Sequence, residues 1–165
     1  MRYIIREGKK EDLPQVLELI KELAEYERAL HEVDNTLERM EEDGFGENPI
    51  YGFYVAEQEG TLVGLALYYF RYSTWKGKSL YLEDIIVTEA HRGHGLGGLL
   101  FDEMVFAARR FDCKQVNWQV LDWNEPAINF YKKLGAGLDG EWINCYLRGK
   151  SLEEYKPFGE SHNPS

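Results

Sequence analysis

The feature that most constrains this chain lies near its middle. The apolar run Ile85-Ile86-Val87 is followed by residues 88–92 and then by Gly93-His94-Gly95-Leu96-Gly97-Gly98. A helical pattern comes next, with Leu99, Leu100, Met104, Ala107, Ala108 and Phe111 on one side. A strand that turns through glycines into an amphipathic helix belongs to an α/β layer structure, because strand and helix bury their apolar sides on each other. Glycines at such a turn also let backbone N–H groups approach an anion at the helix N-terminus, where unpaired donors and the helix dipole favour negative charge. Gly93, Gly95 and Gly98 satisfy the G-x-G-x-x-G dinucleotide fingerprint as well. Position argues against that reading: a dinucleotide fold puts the motif on its first strand, whereas here too little chain follows for two mononucleotide-binding halves. The plainest alternative is a flexible turn.

The chain has 165 residues, 44% of them hydrophobic, enough for one substantial core and too few for two full domains. No run approaches the roughly 18 apolar residues of a membrane span, and the first residues read as a strand instead of a signal peptide, so a cytoplasmic protein without a membrane partner is expected. The net charge of −10 opposes a nucleic-acid partner and favours cationic small molecules. Cys113 and Cys145 form neither a disulfide framework nor a metal motif; both read as buried thiols, and no metal is expected.

Residues 3–6 read as a strand. Asp12 is placed to cap a helix carrying Leu13, Val16, Leu17, Ile20, Leu23 and Ala24, and residues 36–43 form a second helix capped by Thr36 and stopped by Gly44. Residues 51–57 and 62–72 are strands joined by a hairpin turn at 58–61, and residues 79–87 are the next strand. After the glycine loop and its helix come a strand at 115–121, a helix from Pro126 to Leu134 ended by Gly135, and a strand at 142–148 that closes the sheet. The expectation is a single α/β domain over residues 1–153, a mixed and mostly antiparallel sheet flanked by helices, with a polar, frayed tail at 154–165.

Arg92 to Gly97, following Ile85-Ile86-Val87, resembles the Gln/Arg-x-x-Gly-x-Gly/Ala signature of the GNAT superfamily of N-acetyltransferases. Leu19-Ile20-Lys21-Glu22-Leu23-Ala24, Asp43-Gly44-Phe45-Gly46, Tyr81-Leu82-Glu83-Asp84 and residues 123–131 resemble the diamine (spermidine/spermine) N-acetyltransferase family. The resemblance implies a GNAT fold, acetyl-CoA as co-substrate and a homodimer. It places acetyl-CoA against Ile85, Ile86 and Val87, then Arg92, Gly93, His94, Gly95, Leu96, Gly97 and Gly98, then Asn124, Glu125, Pro126, Ala127 and Tyr131.

Amine acetylation needs a group that removes the ammonium proton before attack on the thioester, since an alkyl ammonium with a pKa of about 10.4 is almost wholly charged at neutral pH. Period-two geometry puts Tyr81, Glu83, Ile85 and Val87 on one face of their strand and Leu82, Asp84 and Ile86 on the other, so only one of Glu83 and Asp84 should face a given cleft. By resemblance Glu83 is the base, acting through water, and Tyr131 the acid that protonates the leaving thiolate. Asp84 remains a substrate-binding or structural carboxylate. A backbone N–H near Ile86 or Val87 would stabilise the developing charge if the strand bulges or splays there.

By the same resemblance Tyr26, Glu27 and Trp142 contact the amine. Ser73-Thr74-Trp75-Lys76-Gly77 looks like the thialysine type of this family, which puts Ser73 and Thr74 in the substrate set and favours a lysine-like amine over spermine; Glu125-Pro126-Ala127 instead follows the polyamine type. The competing functions are a protein lysine or N-terminal acetyltransferase and a non-catalytic acyl-CoA- or polyamine-binding module.

Overall fold

Short turns between alternating apolar segments produce an antiparallel sheet whose order follows the chain. Strands β1 (Ile4–Glu7), β2 (Gly52–Gln58), β3 (Thr61–Ser73) and β4 (Gly77–Val87) pair antiparallel in that order, and β5 (Gln115–Asn117) joins β4 in parallel. The β2–β3 turn holds Glu59 and Gly60 at φ 48° and 85°, the paired left-handed conformations that match the twist of a two-residue hairpin. This computed structural model describes residues 2–161, which fall into two compact units, one ending at Trp123 and the other beginning at Asn124.

In the first unit, helices α1 (Leu13–Tyr26) and α2 (Leu37–Phe45) cover one face of the sheet and α3 (Leu96–Arg110) the other. Leu13, Val16, Leu19 and Met40 pack with Phe53, Val55, Leu62, Leu65, Leu67 and Ile86. On the opposite face Leu96, Leu100, Phe101 and Met104 pack with Tyr54, Ala56, Ala66, Tyr68, Leu80 and Leu82. Each fully buried leucine contributes roughly 1.5–3 kcal/mol relative to exposure, so these two layers hold the sheet on both sides.

Leu80 and Leu82 of β4 belong to the α3 face, and so do Ile85 and Val87. Strict alternation forbids residues three apart from sharing a face. The register explains it: Leu82 pairs with Tyr68 and Asp84 with Leu67, leaving Glu83 as an extra residue in a β-bulge. The bulge resets the phase of the strand, and Glu83 and Asp84 both fall on the α1/α2 side.

Several local expectations change. Asp12 does not cap α1; its carboxylate takes two hydrogen bonds from Arg6, at 2.7 and 2.8 Å, and one from the Lys9 N–H at 2.8 Å, a stronger set than a cap provides. Thr36 does cap α2, accepting from Arg39 N–H at 3.2 Å. Gly44 does not stop that helix, which runs on to Phe45; a Cβ on Gly44 would lie 2.4 Å from the Tyr51 ring, so the glycine answers to packing. Leu99 and Phe111 are exposed because the buried stripe of α3 runs through Leu96, Leu100, Met104 and Ala107. The fifth strand has three residues instead of seven.

In the second unit, helix α4 (Glu125–Lys133) has Pro126 in its first turn and ends at Gly135, at φ 86°, where Gly135 N–H bonds the Lys132 carbonyl and Ala136 N–H the Tyr131 carbonyl. The strand expected at 142–148 is absent: those residues pair with no strand among the described residues, and a strand without a ladder partner leaves its backbone groups unsatisfied. Cys145 lies in this segment and is exposed, not buried, whereas Cys113 is half-buried. Helix α5 (Lys150–Glu153) ends just before the expected tail, and α6 (Phe158–Ser161) occupies part of it; residues 162–165 of that tail lie outside the described residues. No helix among the described residues is long and apolar enough to cross a membrane.

Candidate active site

The bulge at Glu83 creates the first element of the site. With both carboxylates turned to the α1/α2 side, Glu83 and Asp84 line a cavity of about 680 Å³ together with Leu67 and Tyr69 of β3, Ile20 of α1, Met40 and Asp43 of α2, and Tyr51. Glu83 is exposed, and Asp84 is more deeply placed. Burial, followed by the charges of Glu83 and Glu27, pushes the Asp84 carboxyl up to about 7. Glu27, just past the end of α1, is raised by burial and by Glu83. The structure therefore brings Glu27, Glu83 and Asp84 together.

Tyr51, Tyr69 and Asp43 were not singled out as site residues from sequence. Tyr51 donates its hydroxyl to the Met40 carbonyl, which ties β2 to α2, and burial with the nearby Asp43 charge pushes its own titration up to about 12. The available signal was Gly44: a glycine within a helix, followed seven residues later by an aromatic, fits a close approach of ring to backbone.

On the other side of β4 the ladder with β5 ends at Tyr81–Asn117, so the β5-facing edge of β4 from Leu82 to Val87 has no strand partner among the described residues. The strands splay where a donor near Ile86 and Val87 was expected, while the bulge itself lies earlier, at Glu83. Asn117 Oδ1, beside the splay, is the one buried side-chain acceptor without a partner among the described residues. Gly93 and Gly95 have φ of 84° and 78°, and no atom lies within 4 Å of a Cβ added to either. Backbone conformation, not crowding, requires these glycines. Gly95 is the N-cap of α3 and offers no side chain, which leaves the N–H groups of the first turn, Leu96, Gly97 and Gly98, uncapped. That arrangement fits a pyrophosphate.

Arg92 is already engaged: its Nε donates to the Val87 carbonyl at 2.9 Å and its guanidinium lies 5.6 Å over the Tyr26 ring. Tyr26 in turn packs 6.2 Å from Trp123, whose other neighbour is the Arg28 guanidinium at 4.1 Å. The expected amine-contacting tyrosine thus stacks between the glycine loop and the Trp123 side chain. His94 lies against Tyr3, and His91 shares a 3.1 Å hydrogen bond with the Tyr3 hydroxyl.

Ser73 and Thr74 are at the β3–β4 tip, where Ser73 Oγ accepts from the Trp75 and Lys76 N–H groups. Ser73 is six residues along β3 from Leu67, the partner of Asp84, or roughly 20 Å at strand spacing. Within this unit they are not brought to the cavity. In the second unit Asn124 is buried and caps α4 through a 3.3 Å bond from Ala127 N–H, with Glu125 and Pro126 forming the first turn. Tyr131 is buried on the same helix, and Trp142 is exposed, donating its ring N–H to Asp139 at 2.9 Å.

An uncapped glycine-led helix, splayed parallel strands before it and a carboxylate-lined cavity beyond define an acyltransferase of the GNAT type. The profile of the acetyltransferase (GNAT) family matches residues 13–136, and the chain belongs to that family. It is an acetyl-CoA-dependent N-acetyltransferase with the single-domain GNAT fold. Among its relatives, a thialysine N-epsilon-acetyltransferase of Sus scrofa is 43% identical over 92% of this chain and 95% of its own length. The spermidine/spermine N(1)-acetyltransferase-like protein 1 of Homo sapiens is 40% identical over 80% of this chain and 20% of its own. In architecture the chain superimposes on an integron cassette protein from the mobile metagenome of V. cholerae, with a TM-score of 0.75 at 22% identity, over 93% of this chain and 97% of that one.

Proposed function

We propose that this enzyme acetylates the side-chain amine of a small cationic substrate, with thialysine and lysine-like amines ahead of spermidine and spermine. The observation that carries this reading is the cavity itself, which is walled by Asp43, Glu83 and Asp84 and roofed by tyrosine rings. Carboxylates and aromatic faces suit an ammonium group on an apolar stem. The names of the relatives point to the same substrate class. A cavity of this size favours a small molecule over a protein chain, and the paired carboxylates favour a catalyst over an idle binding module.

The first turn of α3, with Arg92, Gly93 and His94 before it, would hold the coenzyme pyrophosphate. The open edge of β4 at Ile85, Ile86 and Val87 would take the pantetheine arm; the family resemblance adds Asn124 to Ala127, at the start of α4, to the coenzyme-binding residues. Bound there, acetyl-CoA supplies an activated acyl carbon. Glu83, through water, is the base that the family resemblance assigns, and Tyr131 is the acid for the departing thiolate. Glu27, Tyr26 and Trp142 are further amine contacts in this reading, whereas Ser73 and Thr74, roughly 20 Å along β3 from the partner of Asp84, are not. A homodimer would bury Trp142, Ile143, Tyr146 and Leu147, which are all exposed in the single chain. A cytoplasmic enzyme is in keeping with acetyl-CoA use and two free cysteines. Residues 1–153 would form the catalytic domain and 154–165 its tail.

The test is CoA release with thialysine, lysine, ornithine, putrescine, spermidine, spermine and a lysine peptide. Thialysine should give the highest kcat/KM; preference for the peptide, or no release with any amine while acetyl-CoA binds, overturns the reading. In the same assay Tyr131→Phe should lower kcat by about 10²-fold or more with little change in the KM for acetyl-CoA.

A further inference from the structure

We propose that Asp43, in the last turn of α2, holds the second, non-reacting ammonium of the substrate, so that the enzyme selects diamines and diamino acids over amines with a single charge. This rests on the acetyl-transfer reading above and concerns only which small amines that site prefers. The cavity has two acidic poles on different elements: Glu83 and Asp84 on β4, and Asp43 on α2. The register separates them. Asp84 pairs with Leu67 of β3 and Leu67 with Phe53 of β2, and Tyr51 lies two residues before Phe53, so its backbone is roughly 12 Å from that of Asp84. Asp43 belongs to the Tyr51 end, since its carbonyl accepts the Ile50 N–H at 2.8 Å and its charge acts on the Tyr51 hydroxyl. The charges that act on Asp84 are instead those of Glu83 and Glu27. An amine whose reacting nitrogen sits at β4 can therefore carry a second charge on a short arm to Asp43.

As a helix residue, Asp43 is misplaced. The C-terminal end of a helix carries partial negative charge and favours cations, yet the last turn of α2 holds Glu42 and Asp43 and no basic residue. Asp43 forms no salt bridge among the described residues, and Arg39, one turn back, donates to the Asp34 carbonyl at 3.2 Å instead. The helix thus presents its negative end and a carboxylate together on the wall of the substrate cavity. No basic side chain among the described residues lines that cavity to offset them. Beside Asp43, the Tyr51 ring is fixed by the bond from its hydroxyl to the Met40 carbonyl, and an aromatic ring next to a carboxylate suits an organic cation. A bound ammonium relieves the repulsion between Asp43 and the helix end, so ligands that bring a second charge gain most.

The test compares two amines with the same five-carbon arm: cadaverine, which has an ammonium at each end, and pentylamine, which has one. CoA release by the full-length protein gives kcat/KM for each. The wild type should favour cadaverine by about 5- to 30-fold, with the difference in KM, as expected for one charge-assisted contact at a partly solvated site. Asp43→Asn should reduce that ratio to the statistical advantage of two equivalent ends, and Asp43→Glu should restore most of it. Where pentylamine turns over too slowly to measure, the inhibition constants of both amines against thialysine give the same ratio. A wild-type ratio below about 3, or a fall of less than about threefold in Asp43→Asn, overturns the assignment. A merely structural defect lowers turnover of both amines alike and leaves the ratio intact, which also overturns it. If Asp43→Asn does not fold, Asp43→Ser is read in the same way, and the wild-type ratio alone can still sink the proposal. Failure of the acetyl-transfer reading looks different, since then neither amine, nor thialysine, releases CoA.

Discussion

The glycine loop at residues 92–98 and the carboxylate pair at Glu83–Asp84 lie within one strand and turn of each other, yet they are specified in different ways. The loop works through backbone torsion: Gly93 and Gly95 adopt left-handed φ values that other residues rarely reach, and the uncapped end of α3 follows from the sequence order alone. The pair works through register. Nothing in Leu82-Glu83-Asp84-Ile85 marks an extra residue; the bulge exists because β3 and β4 must both present apolar residues to α3 on either side of it. One half of the site is thus a local property of the chain, and the other is a consequence of how two strands are matched.

Deletion of Glu83 is the sharpest way to break this comparison. It restores simple alternation, with Leu82 and Ile85 still facing α3 and Asp84 still facing the cavity, so the protein should fold and bind acetyl-CoA normally. The kcat/KM for the amine should fall by about 10²- to 10⁴-fold, read from CoA release, because one carboxylate and the spacing of the other are lost. If acetyl-CoA binding falls as well, the two halves of the site are not separately specified.

Gly95→Val tests the loop in the same terms. A β-branched side chain at φ 78° costs on the order of 1–3 kcal/mol, so the Kd for acetyl-CoA should rise by roughly 5- to 150-fold while amine binding is spared. Gly44→Ala should act on neither half directly. Its Cβ would meet the Tyr51 ring at 2.4 Å, an overpacking of about 1–3 kcal/mol that should lower the Tm by roughly 2–10 °C.

The smallest expected effect is a gain. Asp84 is raised from 3.8 to about 7 on folding, so its protonated form is the one the fold favours. Its contribution is fully present below about pH 4 and is lost as the pH rises through 7. Asp84→Asn, neutral throughout, should therefore melt roughly 2–8 °C above the wild type at pH 8, with the difference vanishing towards pH 4. An unchanged Tm at pH 8 would mean that Asp84 is not strained by its surroundings.

Much of the fold was legible in the sequence because its signals are local. The Thr36 cap, the Pro126 start and Gly135 end of α4, and the Glu59-Gly60 hairpin turn each depend on the chemistry of one to four residues. The failures have a common cause. Asp12 reads as a cap until Arg6, across the turn, supplies two better donors. Gly44 reads as a stop until Tyr51 arrives from another element. Residues 142–148 have the composition of a strand but no ladder partner among the described residues, and composition cannot supply one. Ser73 and Thr74 match a substrate-binding segment by wording, whereas the length of the β3–β4 hairpin carries them roughly 20 Å from Asp84.

By itself, the sequence determined the α/β layering, the anion-binding turn and the presence of acidic residues on the strand before it, since alternation, helical periodicity and glycine torsions are set by nearest neighbours. Only the tertiary structure decided that Glu83 and Asp84 share one face, that Tyr51, Tyr69 and Asp43 complete their cavity, and that Asp84 titrates near neutrality. The physical reason is that register, burial and the field of neighbouring charges come from segments distant in the chain, and they take effect only when those segments pack.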